Sequence, residues 1–234
     1  LKGPWSHHNP DWTMDAAIEF VETHKDKPFY LHYCSTLLHG PSKSGREAMD
    51  HPASTGQGPV KPSAETLARR KKLLSLMRTK GVDRDRAGET WIDSVLGRLM
   101  AKLKELGIDR NTLVVFAPDH GSSNKGSLYA HNGNRIPMIM RWPAQIPAGS
   151  TCDLMVQNID LVPTFCDVAG VQAPKNYRTD GRSLKPLLKT GKTDSWRDHL
   201  YFEIGCGRAV LTRDWKYIAV RYTKDQVARI KKAS

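Results

Sequence analysis

Asp119 and His120 are the residues of this sequence whose chemistry is best suited to metal binding. Aspartate offers a hard carboxylate oxygen and histidine an imidazole nitrogen, and both are regular metal ligands. Gly121 follows them and allows the backbone to turn away tightly. An Asp-His-Gly triplet also occurs at ordinary turns, where the aspartate only caps the chain. The triplet therefore indicates a metal site only in combination with other features.

Several cationic side chains are candidates for contacting an anionic substrate. Lys125 is followed by small residues and can approach an anionic oxygen as a point charge, although an exposed loop lysine is the simpler interpretation. His39 precedes a Gly-Pro pair and suits a general acid or an anion donor, with a structural role as the alternative. His131 and Arg135 flank the next apolar segment and are candidate substrate-binding residues; Arg135 equally suits a surface ion pair.

Apolar periodicity predicts the elements that position these residues. Helices are expected over Asp11 to His24, about Ala64 to Lys80, about Arg86 to Leu106, and from Asp160, a candidate N-cap, to Gly170. Strands are expected over Phe29 to Cys34, Thr112 to Ala117, Ile136 to Trp142 and Leu154 to Asn158. Three further short strands, of antiparallel type, are expected at about His199 to Glu203, Ala209 to Thr212 and Lys216 to Arg221.

The order of these elements predicts an α/β fold, in which helices flank a mainly parallel sheet and a small antiparallel sheet follows at the C-terminus. Thr112 to Ala117 is a β-branched apolar run typical of a buried parallel strand. Ligands in such folds bind beyond the carboxyl ends of the strands, so His39 and Asp119-His120 are expected on one rim. Residues 42 to 63 are rich in Gly, Pro and Ser and are predicted to form an excursion or lid.

Composition limits the class of protein. The 234 residues are 39% hydrophobic and 26% charged, as in folded globular proteins. The net charge of +12 favours anionic partners, although solvated faces such as Arg69 to Lys72 explain much of it more simply. Basic runs without interleaved aromatics, and without a recognised motif, argue against nucleic acid. No apolar run reaches the roughly 18 residues that span a bilayer.

The cysteines and two missing motifs exclude some chemistries. Cys34, Cys152, Cys166 and Cys206 include no CxxC pair, which argues against a zinc ribbon. Two disulfides and four free thiols are equally compatible with this number. The sequence contains neither a GxSxG elbow nor an HExxH pair, so an α/β-hydrolase triad and a zinc protease are not supported.

The longest motifs carry a family resemblance. The string DSVLGRLMAKLKELGIDRNTLVVFAPDHG, a Lys-Gly pair and then NRIPMIMRWPAQIPAG resemble the formylglycine-dependent sulfatases of the alkaline-phosphatase-like superfamily. KPFYLHYCSTLLHGP upstream is similar to that family's strand and His-x-Pro loop, and VQNIDLVPTFCDVAGVQAP and DGRSLKPLL downstream continue the match. The similarity covers most of residues 10 to 220 and is weakest over 42 to 85. It implies the C-terminal portion of the catalytic domain over 1–175 and a small C-terminal subdomain over 176–234.

The resemblance implies a role for four candidate residues. Asp119 falls on the strand-end aspartate that binds the divalent cation, usually Ca²⁺, and His120 on the adjacent ligand, which is Asn in many members. Lys125 falls on the lysine that contacts the sulfate ester near its leaving oxygen. His39 falls on the histidine that contacts the sulfate and helps to protonate the leaving group. A cation, a lysine and a protonated histidine would stabilise the charge that builds on the departing oxygen.

The nucleophile of the family has no counterpart here. Sulfatases attack sulfur with a formylglycine made from Cys or Ser in a Cys/Ser-x-Pro-x-Arg context. This sequence contains no such motif, and Ser42 to Arg46 is only loosely similar to it. The family places the nucleophile and two further metal-binding aspartates upstream of where Leu1 falls, so we expect a truncated chain that is inactive alone. The resemblance also implies a periplasmic or secreted location and an anionic sulfate-ester substrate, such as a sulfated glycan.

Three functions are compatible with these observations. The first is an arylsulfatase-like sulfuric ester hydrolase. The second is a phosphodiesterase or phosphonate hydrolase of the same superfamily, which His120 favours slightly because imidazole suits Zn²⁺ or Mn²⁺. The third is a non-catalytic protein that binds polyanions, with affinity that depends on salt and not on Asp119.

Overall fold

A computed structural model describes residues 9–37, 48–121, 124–130 and 132–233. The chain divides into two compact units, Leu1–Arg110 and Asn111–Ser234. Each unit is described by itself below. The boundary between a catalytic portion and a C-terminal subdomain after residue 175 stays a prediction.

The first unit is built mainly from helices. Helix α1 spans Pro10–His24, α2 spans Ala64–Thr79 and α3 spans Ala87–Glu105, which follows a 3₁₀ turn at Arg84–Arg86. A short antiparallel hairpin pairs β1, Ser54–Thr55, with β2, Gly58–Pro59. All three predicted helices are confirmed, and each end lies within one residue of its predicted position.

Local chemistry explains where these helices begin and end. The Asn9 side chain accepts a hydrogen bond from the backbone N–H of Trp12, and Pro10 occupies the first turn of α1. The Ser63 hydroxyl accepts from the backbone N–H of Thr66 and caps α2 in the same way. Gly107 follows α3 with φ of 72°, the left-handed conformation that a helix stop favours.

The core of the first unit lies between α1 and α3, whose apolar faces pack together. Burying these side chains removes their surface from water, at roughly 25 cal/mol per Å² of apolar area. The spacing of the buried positions on each helix matches the helical period of 3.6 residues. The buried side chains of the two helices are Met14, Ala17, Val21, Trp91, Val95, Leu99 and Leu103.

The second unit combines antiparallel sheets with two helices. Its first strands are β3, Val114–Phe116, and β4, Ile139–Arg141. Helix α4 spans Leu161–Ala169, and 3₁₀ turns occur at Asn158–Asp160 and Lys185–Leu187. A further 3₁₀ turn, Asp109–Asn111, contains the boundary between the two units. Strands β5, Leu200–Ile204, β6, Gly207–Leu211, and β7, Lys216–Val220, form an antiparallel meander, and α5, Lys224–Ala233, follows it. The predicted small C-terminal antiparallel sheet is confirmed.

Two predicted strands are wrong. Residues 29–34 and residues 154–157 have no regular secondary structure, and Asn158 opens a 3₁₀ turn. Both segments have the apolar composition of a strand. A strand is stable only when a neighbouring strand pairs its backbone groups, and the described residues supply no such neighbour for either segment.

The pairing of β3 also differs from expectation. We expected Thr112 to Ala117 to lie buried in a parallel sheet, but β3 covers only its centre and pairs antiparallel with β4. Phe116 is 40% exposed and its cross-strand partner Ile139 is 61% exposed. Within the described part of the chain, no parallel strand covers this pair. The described neighbours of β3 therefore leave part of its apolar surface exposed.

Asp160 takes the predicted N-cap position of α4, but its carboxylate makes no capping bond to that helix. Instead it accepts hydrogen bonds from the backbone N–H of Gln157 and of Arg182, both at 2.8 Å. The Arg197 guanidinium donates to both carboxylate oxygens, at 2.8 and 2.6 Å. The fully buried Asp160 thus joins three separate segments of the second unit.

The four cysteines are free, so the structure contains none of the disulfides that the sequence left open. In the described ranges, no helix is long and apolar enough to cross a bilayer.

Candidate functional site

The segment between β3 and β4 carries the predicted metal ligands and the predicted catalytic lysine. The backbone N–H groups of Gly121 and Gly126 both donate to the carbonyl of Gly133, with N···O distances of 3.3 and 2.8 Å. One backbone oxygen therefore holds the turn after Asp119-His120 and the turn that contains Lys125. The structure brings these three predicted residues into one loop.

Glycine is required where this loop folds back on itself. A Cβ on Gly121 would lie 1.7 Å from the carbonyl oxygen of Asn132, and one on Gly133 would lie 2.5 Å from that of Ser127. Neither distance is compatible with a real side chain. Gly121 was predicted to allow a tight turn, and the structure adds a second reason for glycine, because backbone packs directly on backbone at this position.

The Asp119-His120 pair has a defined local geometry. The backbone N–H of His120 donates to Oδ1 of Asp119 at 3.0 Å, and Nδ1 of His120 lies 2.8 Å from the Gly121 carbonyl. A carbonyl only accepts, so Nδ1 donates this hydrogen bond, and in the neutral tautomer that makes this bond the lone pair lies on Nε2. Nε2 in turn lies 3.6 Å from Oδ2 of Asp119.

This arrangement fits two ligands of one divalent cation. An ion about 2.1 to 2.4 Å from each atom would hold such a nitrogen and oxygen roughly 3 to 4 Å apart. A carbonyl on the other ring nitrogen is also the usual support of a metal-bound histidine. However, Asp119 is 87% exposed at its side chain, and the described residues contain no group of three or more His, Cys, Asp or Glu that could hold a metal. The described part of the loop therefore offers two candidate ligands, Asp119 and His120, which are too few to hold a metal alone.

The other predicted site residues are the catalytic and substrate-binding candidates. Lys125 is exposed in the turn between Asn124 and Gly126, and Arg135 is exposed in the stretch that leads into β4. His39 and His131 lie outside the described residues. Lys125 therefore lies exposed in the same loop as Asp119 and His120, and the roles of all the predicted site residues stay predictions.

Asn134 is a polar residue near this loop that the sequence analysis missed. Its Nδ2 is buried and has no hydrogen-bond partner in the part of the chain that the structure describes. A buried donor without a partner is costly and is often completed by a ligand or another part of the protein. No motif or spacing in the sequence marks this residue.

Comparison with solved structures defines the fold. The structure of BT4656 in complex with its substrate D-glucosamine-2-N,6-O-disulfate matches with a TM-score of 0.59 and 24% identity, and the match covers 90% of this chain and 60% of that one. The predicted alkaline-phosphatase-like α/β fold is confirmed by this similarity.

Family models then identify the chain. Residues 4–171 match the model of the sulfatase family, and residues 118–227 match the C-terminal model of N-sulphoglucosamine sulphohydrolase. The first match covers more than half of the sequence, so the chain belongs to the sulfatase family. The resemblance seen in the sequence is therefore confirmed.

Two curated relatives show how much of a sulfatase the chain represents. An N-acetylglucosamine-6-O-sulfatase of Bacteroides thetaiotaomicron is 38% identical over a 120-residue alignment that covers 47% of this chain and 21% of that protein. Human arylsulfatase A is 31% identical over a 194-residue alignment that covers 76% of this chain and 32% of that protein. The chain thus spans about a fifth to a third of the length of the curated relatives that it matches.

Proposed function

We propose that this chain is the C-terminal part of the catalytic domain, with the small C-terminal subdomain, of an enzyme that hydrolyses sulfate esters. The observation that carries the proposal is the Gly133 carbonyl, which holds the Asp119-His120 turn and the Lys125 turn in one loop of a sulfatase-family chain. A metal-ligand pair and a lysine in one loop suit an ester whose departing oxygen becomes negatively charged.

In this proposal Asp119 and His120 would hold a divalent cation. The carboxylate of Asp119 favours Ca²⁺, whereas the Nε2 of His120 also suits Mn²⁺ or Zn²⁺. When bound, the cation supplies positive charge that stabilises the sulfate oxygens. Residues from a part of the parent enzyme outside this sequence would complete the metal site, since the described residues contain no group of three or more His, Cys, Asp or Glu that could hold a metal.

The cationic residues would act on the ester. The ammonium group of Lys125, exposed in its turn, would lie against the leaving oxygen and stabilise it as the S–O bond breaks. His39 would donate the proton that the leaving group needs. His131 and Arg135 would contact the anionic substrate. The formylglycine nucleophile would come from outside this sequence, since no Cys/Ser-x-Pro-x-Arg motif occurs within it.

A sulfated glycan is the proposed substrate class. BT4656 binds D-glucosamine-2-N,6-O-disulfate, and one relative is an N-acetylglucosamine-6-O-sulfatase. The substrate of the first protein is a sulfated sugar, the name of the second specifies one, and both proteins resemble this chain. We further propose a periplasmic or secreted location, where such polymers are encountered.

The experiment that tests the function is to sequence the source DNA upstream of the Leu1 codon and to express the extended protein. We expect a Cys/Ser-x-Pro-x-Arg motif and an upstream Asp pair, with hydrolysis of 4-nitrophenyl sulfate. Asp119→Ala and Lys125→Ala should each lower kcat/KM by about 10²- to 10³-fold, because each removes charge stabilisation at the reacting oxygen. Lys104→Ala, which removes an exposed lysine of α3, is the matched control and should leave kcat/KM unchanged.

Other outcomes identify the alternatives. A Thr, or a Ser outside the motif, together with faster turnover of a phosphonate ester than of the sulfate ester, would assign the protein to the phosphate-directed branch of the superfamily. No turnover of either ester, combined with salt-sensitive polyanion binding that survives Asp119→Ala, would show a binding protein instead.

A further inference from the structure

The stretch from Leu67 to Val82, which contains most of α2, is cationic without any acidic residue. Some of its cationic side chains point toward the rest of the first unit and others point outward. The two groups differ in whether they form ion pairs. The cations of this stretch are Arg69, Arg70, Lys71, Lys72, Arg78 and Lys80.

The inward arginines are paired. Arg70 is 4% exposed, and its Nε donates to Oδ2 of Asp11 at 2.9 Å while the guanidinium lies 4.5 Å from the ring centre of Trp91. Arg69 forms ion pairs with Asp15 at 3.2 Å and with Glu65 at 2.6 Å. Because a buried guanidinium is stable only with such partners, these contacts fix the orientation of α2 on its unit.

The outward cations are not paired. Lys71, Lys72, Arg78 and Lys80 are exposed, and none of them forms an ion pair within the described ranges. Acidic partners are available elsewhere in the same unit, as Arg84 shows by pairing with Asp50 at 2.7 Å. The outward cations repel one another in the free protein, so a polyanion bound along the helix would remove an existing repulsion.

The spacing of these cations suits a long ligand. Lys71 and Arg78 are seven residues apart, which places them on one side of the helix and about 10 Å apart along its axis. Lys72 lies beside Lys71 on the same outward surface. A polymer with repeated anionic groups can contact several of these positions at once, whereas a single small anion cannot.

We propose that the outward basic surface of α2, formed by Lys71, Lys72 and Arg78, is a docking surface for a sulfated polysaccharide. The choice of a sulfated polymer rests on the function proposed above; the location of the surface rests on the unpaired charges. Sulfate groups are permanently anionic, and a lysine ammonium group, which acts as a compact point charge, can pair with them. Aromatic side chains, on which nucleic-acid bases would stack, are absent from the sequence of α2.

The test measures binding of fluorescein-labelled dextran sulfate to the 234-residue chain by anisotropy at several salt concentrations. The variant Lys71→Gln/Lys72→Gln/Arg78→Gln should raise Kd at least tenfold and flatten the dependence of Kd on salt. Glutamine retains helix propensity. Within the described ranges the three side chains form no ion pair, and the bond from Nε of Arg78 to the Leu74 carbonyl, at 3.4 Å, lies within α2 itself, so circular dichroism should show an unchanged fold.

A variant of α5 supplies the matched control. Lys224→Gln/Lys232→Gln/Arg229→Gln removes the same three charges, two lysines and one arginine, from another exposed helix. Its Kd should stay within twofold of the original. An equal loss of affinity in the two triple variants would show that only net charge matters and would overturn the proposal. The absence of dextran sulfate binding by the original chain would also overturn it.

Two further arms identify the partner and separate this proposal from the enzymatic one. Unsulfated hyaluronan should compete weakly, and duplex DNA that competes as well as dextran sulfate would overturn the choice of a sulfated polymer. Asp119→Ala should bind dextran sulfate normally. An extended protein that lacks sulfatase activity but binds through α2 would contradict only the enzymatic function, and the reverse result would contradict only the docking surface.

Discussion

Asp160 shows how a single residue can hold the second unit together. Its carboxylate is fully buried and accepts four hydrogen bonds, two of them from Arg197 and two from backbone N–H groups. The exposed fraction of the Arg197 side chain is 8%, so this ion pair is largely shielded from water. Removing one partner of such a pair leaves an uncompensated buried charge.

We therefore expect Asp160→Asn to destabilise the protein by about 3 to 5 kcal/mol, since the Arg197 guanidinium would remain buried without its counter-charge. Differential scanning calorimetry should show a lower midpoint for the second unit. Asp198→Asn is the control, because the Asp198 carboxylate is 94% exposed, and it should change stability by no more than about 0.5 kcal/mol. Similar midpoints for the two variants would contradict the structural role of Asp160.

Gly121 and Gly133 give a prediction at the candidate site itself. Gly133→Ala would place a Cβ 2.5 Å from the Ser127 carbonyl, so the loop must open and the Gly121 and Gly126 hydrogen bonds must lengthen. In the extended enzyme we expect kcat/KM for a sulfate ester to fall at least tenfold, because misplacing catalytic groups by about 1 Å has effects of this order or larger.

Gly97→Ala is the matched substitution for this test. Gly97 lies within α3, and a Cβ there meets nothing within 4 Å. Alanine should stabilise the helix by about 0.5 to 1 kcal/mol and leave kcat/KM unchanged. Equal activity of the Gly133→Ala and Gly97→Ala enzymes would show that the closed loop is not needed for catalysis.

Candidate site residues could be predicted from the sequence only where the type of side chain itself indicates the chemistry. Asp119, His120 and Lys125 could be predicted as site residues because metal ligands and an ammonium group are recognisable as residue types. The Gly133 carbonyl, which joins their turns, was not found, since every residue has a carbonyl and its use depends on the path of the chain. The buried Nδ2 of Asn134 was missed for the same reason.

At the scale of elements, Arg70 joins α2 to two other parts of the first unit. Its guanidinium donates to Asp11 of α1 and to the carbonyls of Ala48 and Met49, at 3.1 and 3.2 Å. The Asn9 side chain then donates to the carbonyl of Ser54 at 3.0 Å. Residues 48–55 belong to the predicted excursion, and these bonds tie that part of it to the helices.

Arg70→Lys should therefore destabilise the first unit by about 2 to 4 kcal/mol. Lysine keeps the charge but cannot reproduce the planar set of donors that reaches several acceptors at once. Burial lowers the pKa of the Arg70 guanidinium, and the hydrogen bond to Asp11 opposes this shift; a guanidinium nevertheless stays charged in proteins, so the effect should not depend on pH near neutrality.

Urea unfolding followed by tryptophan fluorescence would measure this change, since Trp91 donates its Nε1–H to the same Asp11 oxygen. Arg78→Lys is the control, because Arg78 is exposed and its replacement should change stability by less than about 0.5 kcal/mol. A loss that is equal in the two variants would show that the buried ion pair contributes nothing specific.

Helices were predicted more accurately than strands, and the reason is physical. The boundaries of α1, α2 and α3 depend on caps and on a periodic apolar face, which are properties of a local stretch of sequence. A strand depends on a partner that can lie anywhere in the protein. The segment around Phe29 to Cys34 has the composition of a strand, yet without a neighbour in the described chain it remains irregular.

At the scale of the whole molecule, one fact explains two observations: the chain corresponds to only part of a sulfatase. The observations are the exposed apolar pair of β3 and β4 and the incomplete set of candidate metal ligands. The match to BT4656 covers 60% of that structure. Phe116 and Ile139 are apolar but exposed, and Asp119 is a metal-ligand candidate that is open to water. Both observations are expected if the parent enzyme covers this surface with segments that this sequence does not include.

The chain alone should therefore bind Ca²⁺ weakly and should not hydrolyse sulfate esters. Two ligands provide less affinity than the complete oxygen cages of weak extracellular Ca²⁺ sites, so we expect Kd above about 1 mM. Isothermal titration with CaCl₂ should show no saturable binding in the micromolar range, and Asp119→Ala should give the same titration as the original chain. Micromolar binding that disappears in Asp119→Ala, or measurable turnover of 4-nitrophenyl sulfate by the purified chain, would show that the 234 residues contain a complete site and would overturn the division of the catalytic residues proposed here.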